Sequence, residues 1–460
     1  MIQRLLRHKF LRDTSVLQVG AMLNAAGNFL TAIALSHVLG ARGQGEFYVA
    51  ISLYSFLWFS ANLGLVSVTV SQVAGATARG DREAAAGWLA YLVKAYLLLG
   101  VAVALVGSFA LPAAARWILG TDVRVGVLAA LLAVTPLIEV PKVVVTAGLQ
   151  AGRRMLPLAQ IENAQEAMRV FLVIVGALVA GGAVGPVVGA LAASAMGSLL
   201  AVDMYRGERR RGADLWSVRE ILGRVRAVPL RQGLPLGLRM GAVQNLHAFG
   251  TQILPSLFVQ RFASSEWVAF FRIAQRILSV PLMFMQGISR TVLPWFSELA
   301  GQQELRRLRG AYFKASLFSG LLISAAILVI TPLLPWFLEL AFPREYREPV
   351  WLLARILIPG FMVLSFSIAN DTFYLVTGTL RVGIWFSAIG MVVYVALVGT
   401  CAWIWPETGV ARGFTIAMFW SLWHPLYVYY WFKRKLRPRP APEALEPGRG
   451  AERVPGAGPP

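Results

Sequence analysis

The feature that most restricts this chain is a succession of twelve apolar runs, at residues 14–38, 46–74, 87–110, 125–150, 157–180, 187–203, 233–259, 267–296, 311–338, 350–376, 383–404 and 413–431. About 20 predominantly apolar residues are enough for a helix to cross the hydrocarbon core of a bilayer. Runs of that length at that frequency predict an all-α polytopic membrane protein with about 12 transmembrane helices; a long basic linker and an echo between the halves arrange them as two six-helix lobes, and buried cations put a central cavity between them. A chain that is 57% hydrophobic and 14% charged, with mean hydropathy +0.62, is not an ordinary soluble globule. The first run, from Ser15 to Leu39, is too long for the apolar core of a signal peptide and predicts a retained span.

A net charge of +20 raises the question of nucleic acid, and the positions of the charges answer it. Lys and Arg sit at the ends of the apolar runs, as membrane anchors do, so no nucleic-acid partner is predicted. With the N-terminus taken as cytoplasmic, 27 of them fall in inside segments and 7 outside, and without the C-terminal tail the split is still 20 to 7. The positive-inside rule therefore puts both termini in the cytoplasm. The lone Cys401 permits no intrachain disulfide, and His8, His37, His247 and His424 are scattered without ligand spacing. No metal or cofactor is predicted.

The connections are short except for 204–232, which divides the chain into a six-helix lobe at 1–203, a basic cytoplasmic linker, a second six-helix lobe at 233–432 and a tail at 433–460. In the linker Leu215, Val218, Ile221, Leu222 and Val225 share one helical face, with Arg219, Arg224 and Arg226 elsewhere. That pattern suits an amphipathic helix lying on anionic inner-leaflet lipids; the plainer reading is a polar linker. The tail is rich in Pro, Gly and Arg, and is predicted to be disordered.

Inside the spans the balance of charge is uneven. Lys94, Lys142, Arg169, Arg239, Arg272, Arg276, Arg290, Lys314 and Arg355 face only Glu139, Glu162, Glu166 and Asp371. Ion pairs that merely tie helices together would leave the interior closer to neutral. Lys314, Arg290 and Arg355 lie near span ends, where long side chains reach the interface. Glu162, Glu166 and Arg169 share a helical face, so mutual pairing is expected. Arg276 lies about nine residues, or ~14 Å, into its helix and has neither escape. A charge at bilayer depth costs roughly 3 kcal/mol on insertion scales, so such residues face a bundle interior or a wet cavity. The hairpin from Gly233 to Glu298 thus predicts a cationic chamber for something anionic.

The two halves echo each other: Gly45-Glu46-Phe47-Tyr48-Val49-Ala50 opens span two much as Ala269-Phe270-Phe271-Arg272-Ile273-Ala274 opens span eight. This matches the parallel-repeat plan of several transporters, with an axis along the membrane normal. Further short patterns are the turn Leu39-Gly40-Ala41-Arg42-Gly43-Gln44-Gly45-Glu46-Phe47-Tyr48, the step Asn62-Leu63-Gly64-Leu65, Ala76-Thr77-Ala78-Arg79-Gly80-Asp81, and the exit Arg290-Thr291-Val292-Leu293-Pro294. At these residues the chain resembles the Wzx-type O-antigen and polysaccharide flippases, the oligosaccharide branch of the multidrug/oligosaccharidyl-lipid/polysaccharide exporter superfamily. The resemblance implies a V-shaped pair of lobes in the bacterial cytoplasmic (inner) membrane. By alternating access they would carry an undecaprenyl-diphosphate-linked oligosaccharide from the inner to the outer leaflet. Basic residues of spans seven and eight, here Arg239, Arg272, Arg276 and Arg290, would meet the diphosphate. A glycan polymerase and glycosyltransferases of the same pathway are the expected partners.

Arginine suits that role because its planar guanidinium stays protonated and matches phosphate oxygens. Arg272 and Arg276, one turn apart, are placed to grip one diphosphate, and Asn24, Asn28, Asn62, Gln244, Asn245, Tyr48 and Trp58 are available to a sugar. Asn24 and Asn28 serve equally as interhelical hydrogen-bond glue, and His247 as a packed polar residue. For a coupling ion the candidates are Asp371, beside Asn370, and Glu166; the alternative for Asp371 is an ion pair with Lys142. A drug or metabolite exporter of the same superfamily would share the fold, but a site for cationic drugs should be acidic. A polyprenyl-linked glycan polymerase or glycosyltransferase would need a sizeable outer loop, and the longest outer connections here, 111–124 and 339–349, are barely a dozen residues.

Overall fold

The computed structural model describes residues 9–62, 64–152, 154–212, 215–235, 237 and 249–436, and every regular element among them is helical. The first lobe opens with α1, Lys9–Ala61, which holds the first expected span and most of the second. Gly40, at φ 65° and ψ 179°, turns the chain between its two arms. A left-handed φ costs glycine nothing, so the turn needs no loop. The lobe continues through α2 (Leu65–Ala78), α3 (Arg82–Trp117), α4 (Val123–Leu132), α5 (Thr135–Ala151), α6 (Met155–Ala180) and α7 (Val184–Arg210). After the linker helix α8 (Val218–Arg224), the second lobe comprises α9 (Leu254–Phe262), α10 (Ser265–Gly301), α11 (Leu305–Ala341), α12 (Arg344–Leu364), α13 (Asn370–Val376), α14 (Leu380–Ile404), α15 (Gly409–Met418) and α16 (Trp423–Lys435). Eight stretches of described helix are long and apolar enough to cross a membrane.

Several expected spans are interrupted, and proline accounts for three of the breaks. A proline has no N–H for the carbonyl four residues back, and its ring crowds that carbonyl. Pro136 divides the fourth span into α4 and α5, and Pro425 follows the 3₁₀ turn Phe419–Leu422 inside the twelfth. Pro255 follows a π-turn at Phe249–Ile253, and the freed Thr251 carbonyl accepts a hydrogen bond from Gln275 Nε2 at 2.5 Å. The tenth span breaks after α12, where the Ser365 hydroxyl donates to the Met362 carbonyl at 2.6 Å.

Because successive spans run antiparallel, the connections fall on two faces. One, the turn face, carries Gly40, 118–122, 181–183, 263–264, 342–343 and 405–408. The other, the linker face, carries 79–81, the 211–235 connection, 302–304 and 377–379. The outward sides are apolar, with Phe109 at 80% and Val179 at 82% exposed, as lipid-facing residues are. Trp117, Trp336 and Trp423 are exposed, Trp117 and Trp336 toward the turn-face ends of their helices and Trp423 at the break inside the twelfth span.

The lobes meet mainly at the turn face. Gly45, at the start of the second arm of α1, lies against the start of α10 so closely that a Cβ there would fall 1.7 Å from the Ser265 carbonyl oxygen. Phe29 of α1 packs on Phe337 and Phe342 across the same seam, at ring separations of 5.6 and 6.3 Å. One continuous apolar core runs through this region and includes residues of both lobes. Toward the linker face each lobe has a core of its own. In the first lobe it is built around Leu149, Ile161 and Tyr205, and in the second around Phe296, Tyr312, Phe373 and Phe432.

The linker differs from its expected form. Ser217 and Glu220 form a capping box that starts the seven-residue α8, but the apolar face is divided: Leu215 and Ile221 are buried, while Val218 and Leu222 are exposed. Polar anchors to the first lobe explain the burial. Lys94 Nζ donates to the Val228 carbonyl at 2.9 Å, Arg82 donates to the Leu215 carbonyl at 3.2 Å, and Arg224 pairs with Glu83. The linker is therefore docked on the first lobe by half of the face expected to meet lipid. Of the tail, α16 carries Lys433, Arg434 and Lys435 in its last turn, and residues 437–460 lie outside the described ones.

Candidate functional site

α10 carries Arg272, Gln275, Arg276 and Ser279 at helical spacing, a polar stripe on an otherwise apolar helix. Arg272 and Arg276 line a cavity of about 200 Å³ together with Asn28, Thr31, Tyr48 and Ser55 of α1, Arg169 of α6, and Ile253. Both lobes thus supply its walls, and these arginines face the seam between lobes and not acyl chains.

The two α10 arginines are held by neutral groups. Arg272 donates to Ser52 Oγ at 2.9 Å, and its Nε is buried without a hydrogen-bond partner. Arg276 donates to the Asn28 carbonyl at 2.6 Å, with its guanidinium carbon 5.9 Å from the centre of the Tyr48 ring. Among the described residues neither is matched by a carboxylate. Arg169 is matched: its Nε donates to Glu166 Oε2 at 2.8 Å, and a terminal nitrogen donates to Asn28 Oδ1 at 2.8 Å. Asn28 Nδ2 in turn donates to Glu166 Oε1 at 3.0 Å, so Asn28 is both the glue between α1 and α6 and a wall of the cavity. Among the described residues three guanidiniums therefore line the cavity between the lobes, and one carboxylate, Glu166, pairs with the third of them. Arginines so placed in a low-dielectric site favour a multiply charged anion with oxygen acceptors, above all a phosphate.

The structure brings together Arg272, Arg276, Asn28 and Tyr48 of the expected site. Asn24 lies one turn from Asn28 and accepts a hydrogen bond from it through its carbonyl, at 2.8 Å, but does not line the cavity. Arg239, Gln244, Asn245 and His247 fall outside the described residues, as does the side chain of Arg290 in α10. Trp58, expected to be open to a sugar, is instead buried, with its ring 5.2 Å from that of Tyr96. Arg169 was expected to serve only in pairing with Glu166, yet it also lines the cavity. The i, i+3 spacing revealed the pair but not the direction in which its helix faces.

The coupling candidates separate. Glu166 uses both oxygens on Asn28 and Arg169. Asp371 does not pair with Lys142, because Lys142 Nζ sits 3.1 Å from Glu139 of its own helix, which also accepts from Gln165 and Ser194 at 3.0 and 2.9 Å. Asp371 instead lines a second cavity of about 210 Å³, wholly in the second lobe, with Tyr394, Ser421 and His424. The Tyr394 and Ser421 hydroxyls there are buried without hydrogen-bond partners, and His424 Nδ1 lies 2.8 Å from the Tyr374 hydroxyl. Asn370 faces away, accepting from Tyr312 at 2.7 Å.

Comparison with solved structures gives the same architecture. An inward-facing multidrug resistance transporter of the MATE family, in the MOP superfamily, overlays with a TM-score of 0.76 at 18% identity, covering 93% of this chain and all of that one. An outward-facing MATE structure overlays at 0.57, also at 18% identity, covering 94% and 98%. A MOP superfamily transporter from Pyrococcus furiosus overlays at 0.59 and 18% identity, covering 92% and 94%. The fold is thus that of MOP superfamily transporters, a two-lobed multi-pass membrane architecture. No curated protein matches the chain. The sequence profile described as polysaccharide biosynthesis protein matches residues 10–300, well over half of the chain, and the protein belongs to that family.

Proposed function

We propose that this protein is a flippase for a polyprenyl-diphosphate-linked oligosaccharide, moving it from the inner to the outer leaflet by alternating access. The observation that carries the reading is the pair Arg272 and Arg276, which line a cavity between the lobes with no carboxylate among the described residues to neutralise them. Membership of a polysaccharide biosynthesis family in a transporter fold supports the same conclusion. The positive-inside count makes the linker face cytoplasmic, and the seam is closed at the opposite, turn face. The better overlay with an inward-facing relative agrees with that state. The headgroup would enter from the linker face, its phosphates accepting from Arg272 and Arg276. The described cavity suits phosphates and not a whole glycan, so the sugars would extend toward the linker face while the apolar tail stays between the lobes in lipid. Asp371, lining its own cavity with His424, is the better placed candidate for a coupling proton or cation.

Export of a cationic drug, the nearest alternative within this fold, is disfavoured by the sign of the cavity. For the Pyrococcus furiosus transporter, reverse polarity of the binding pocket likewise suggests a different function. The test is a strain lacking the gene, assayed for lipid-linked oligosaccharide held on the inner leaflet. Accumulation that the wild-type gene relieves and the Arg276→Ala gene does not is the expected result. A strain without accumulation would overturn the reading.

A further inference from the structure

Three polar side chains that the cavity does not use cross the seam at the turn face. Gln44, on the second arm of α1, is 0% exposed. Its Nε2 donates to the Ala32 carbonyl at 2.8 Å and to the Tyr48 hydroxyl at 3.2 Å, and its Oε1 accepts from the Tyr346 hydroxyl at 2.8 Å. Tyr346, in the first turns of α12, is also fully buried, with its ring 5.2 Å from Phe270 of α10. Beside it Glu345 Oε1 accepts the Ala41 N–H at 2.9 Å, an amide just past the Gly40 bend. One glutamine thus joins both arms of α1 to the second lobe, and one carboxylate caps the bend between them.

The chemistry suits a contact that must open. A buried amide group without a partner is costly, so half-broken arrangements are disfavoured and the seam closes in one register. Full opening admits water from the turn face, which satisfies Gln44, Tyr346 and the Ala41 amide again, so release costs little. The aromatic seal of Phe29, Phe337 and Phe342 supplies apolar burial, and the Gly45–Ser265 contact sets how closely the backbones approach. The same Tyr48 that holds Gln44 lies under Arg276, so the seam and the cationic cavity share a side chain.

We infer that Gln44, with Tyr346 and Glu345, is a latch that holds the turn-face gate shut in this state and releases when the lobes swing to the other. The inference rests on the alternating-access reading above. Its test is a distance between lobes, measured in lipid nanodiscs without substrate by double electron–electron resonance. Spin labels are placed at Arg124→Cys and Glu348→Cys, both exposed on the turn face, in a Cys401→Ala background. The parent chain should give a dominant short distance. Tyr346→Phe, which keeps the ring and its packing, should lower the closed-to-open ratio roughly five- to tenfold, about the worth of one buried hydrogen bond. Gln44→Ala should lower it further. Gly45→Ala should do the same through the clash of its Cβ with the Ser265 carbonyl. Distances in Tyr346→Phe and Gln44→Ala identical to those of the parent would overturn the latch. Because the readout needs no substrate, that failure is separate from failure of the flippase reading. Latch variants that open, in a protein whose Arg276→Ala form still delivers glycan, would leave the latch standing and remove the cationic site.

Discussion

Two of the charged groups inside the membrane-spanning helices are built on opposite principles. In the first lobe Lys142 is matched by Glu139, which also accepts from Gln165 and Ser194. Across the seam Arg272 and Arg276 have, among the described residues, a serine hydroxyl, a backbone carbonyl and an aromatic face, and they line open space. The first cluster satisfies itself and needs nothing from outside. The second pays the desolvation cost without the compensating carboxylate, and a visiting anion is what would supply the missing half. The contrast shows that the count of intramembrane charges matters less than whether each has a partner.

The contrast can be broken most directly at the seam. Arg272→Ala and Arg276→Ala are each expected to cut delivery of surface glycan about 10- to 100-fold, the worth of a charge-assisted hydrogen bond, with membrane insertion unchanged. Arg276→Lys should restore only part of it, because a point charge replaces a fork of donors. Immunoblots for glycan and for the protein measure both. In the paired cluster the effect should appear in stability and not in transport. Lys142→Ala, which strands a half-buried Glu139, should cost about 2 kcal/mol in thermal unfolding. Replacing both partners, Glu139→Leu with Lys142→Met, removes the ion pair but leaves Gln165 and Ser194 without their acceptor, so it should cost about 1–3 kcal/mol in stability while glycan delivery stays unchanged. A transport defect in that double variant would erase the distinction between the clusters.

Finer effects sharpen the same comparison. Asp371→Asn should leave headgroup binding unchanged while transport in proteoliposomes loses its dependence on an imposed proton or sodium gradient. Retained gradient dependence would take Asp371 out of coupling. The smallest effect concerns the docked linker. Hydrogen bonds from the Ser217 amide and hydroxyl hold the Glu220 carboxyl below its ordinary range. A depressed carboxyl contributes stability above its unfolded pKa and loses it as pH falls through the folded value. Hydrogen exchange across residues 215–228 should therefore quicken only in acid, and Glu220→Gln should flatten that response.

Much of this was legible in the sequence, for reasons that also mark where it stopped. Span length and the alternation of Lys and Arg disclosed a two-lobed helical membrane protein, because lipid imposes both on the chain directly. The depth of Arg276 and the surplus of cations disclosed the cavity wall, since burying charge is expensive wherever it occurs. Spacing disclosed the pairing of Arg169 with Glu166 but not its place on the cavity wall, because helical spacing identifies a partner on the same helix but not the neighbour that helix faces. Lys142 was offered a distant partner when Glu139, three residues away, was the nearer one. In the sequence Gln44 is only part of the turn from Leu39 to Tyr48: a lone glutamine near a turn is ordinary until its hydrogen bonds are seen to tie both arms of α1 to Tyr346 of the second lobe. Pro136, Pro255 and Pro425 did carry the helix breaks in plain view, and the expected spans ran through them because hydropathy alone is blind to backbone donors.

The central claim is that unpaired guanidiniums between the lobes bind the phosphates of a lipid headgroup. Its most direct test is equilibrium binding of undecaprenyl diphosphate to the purified protein in nanodiscs, comparing wild type, the Arg272→Ala/Arg276→Ala double variant and the Glu139→Leu/Lys142→Met double variant. Saturable binding in wild type and in the Glu139/Lys142 variant, weakened at least about 100-fold when both arginines are removed, is the predicted result. Equal binding in all three proteins would contradict it.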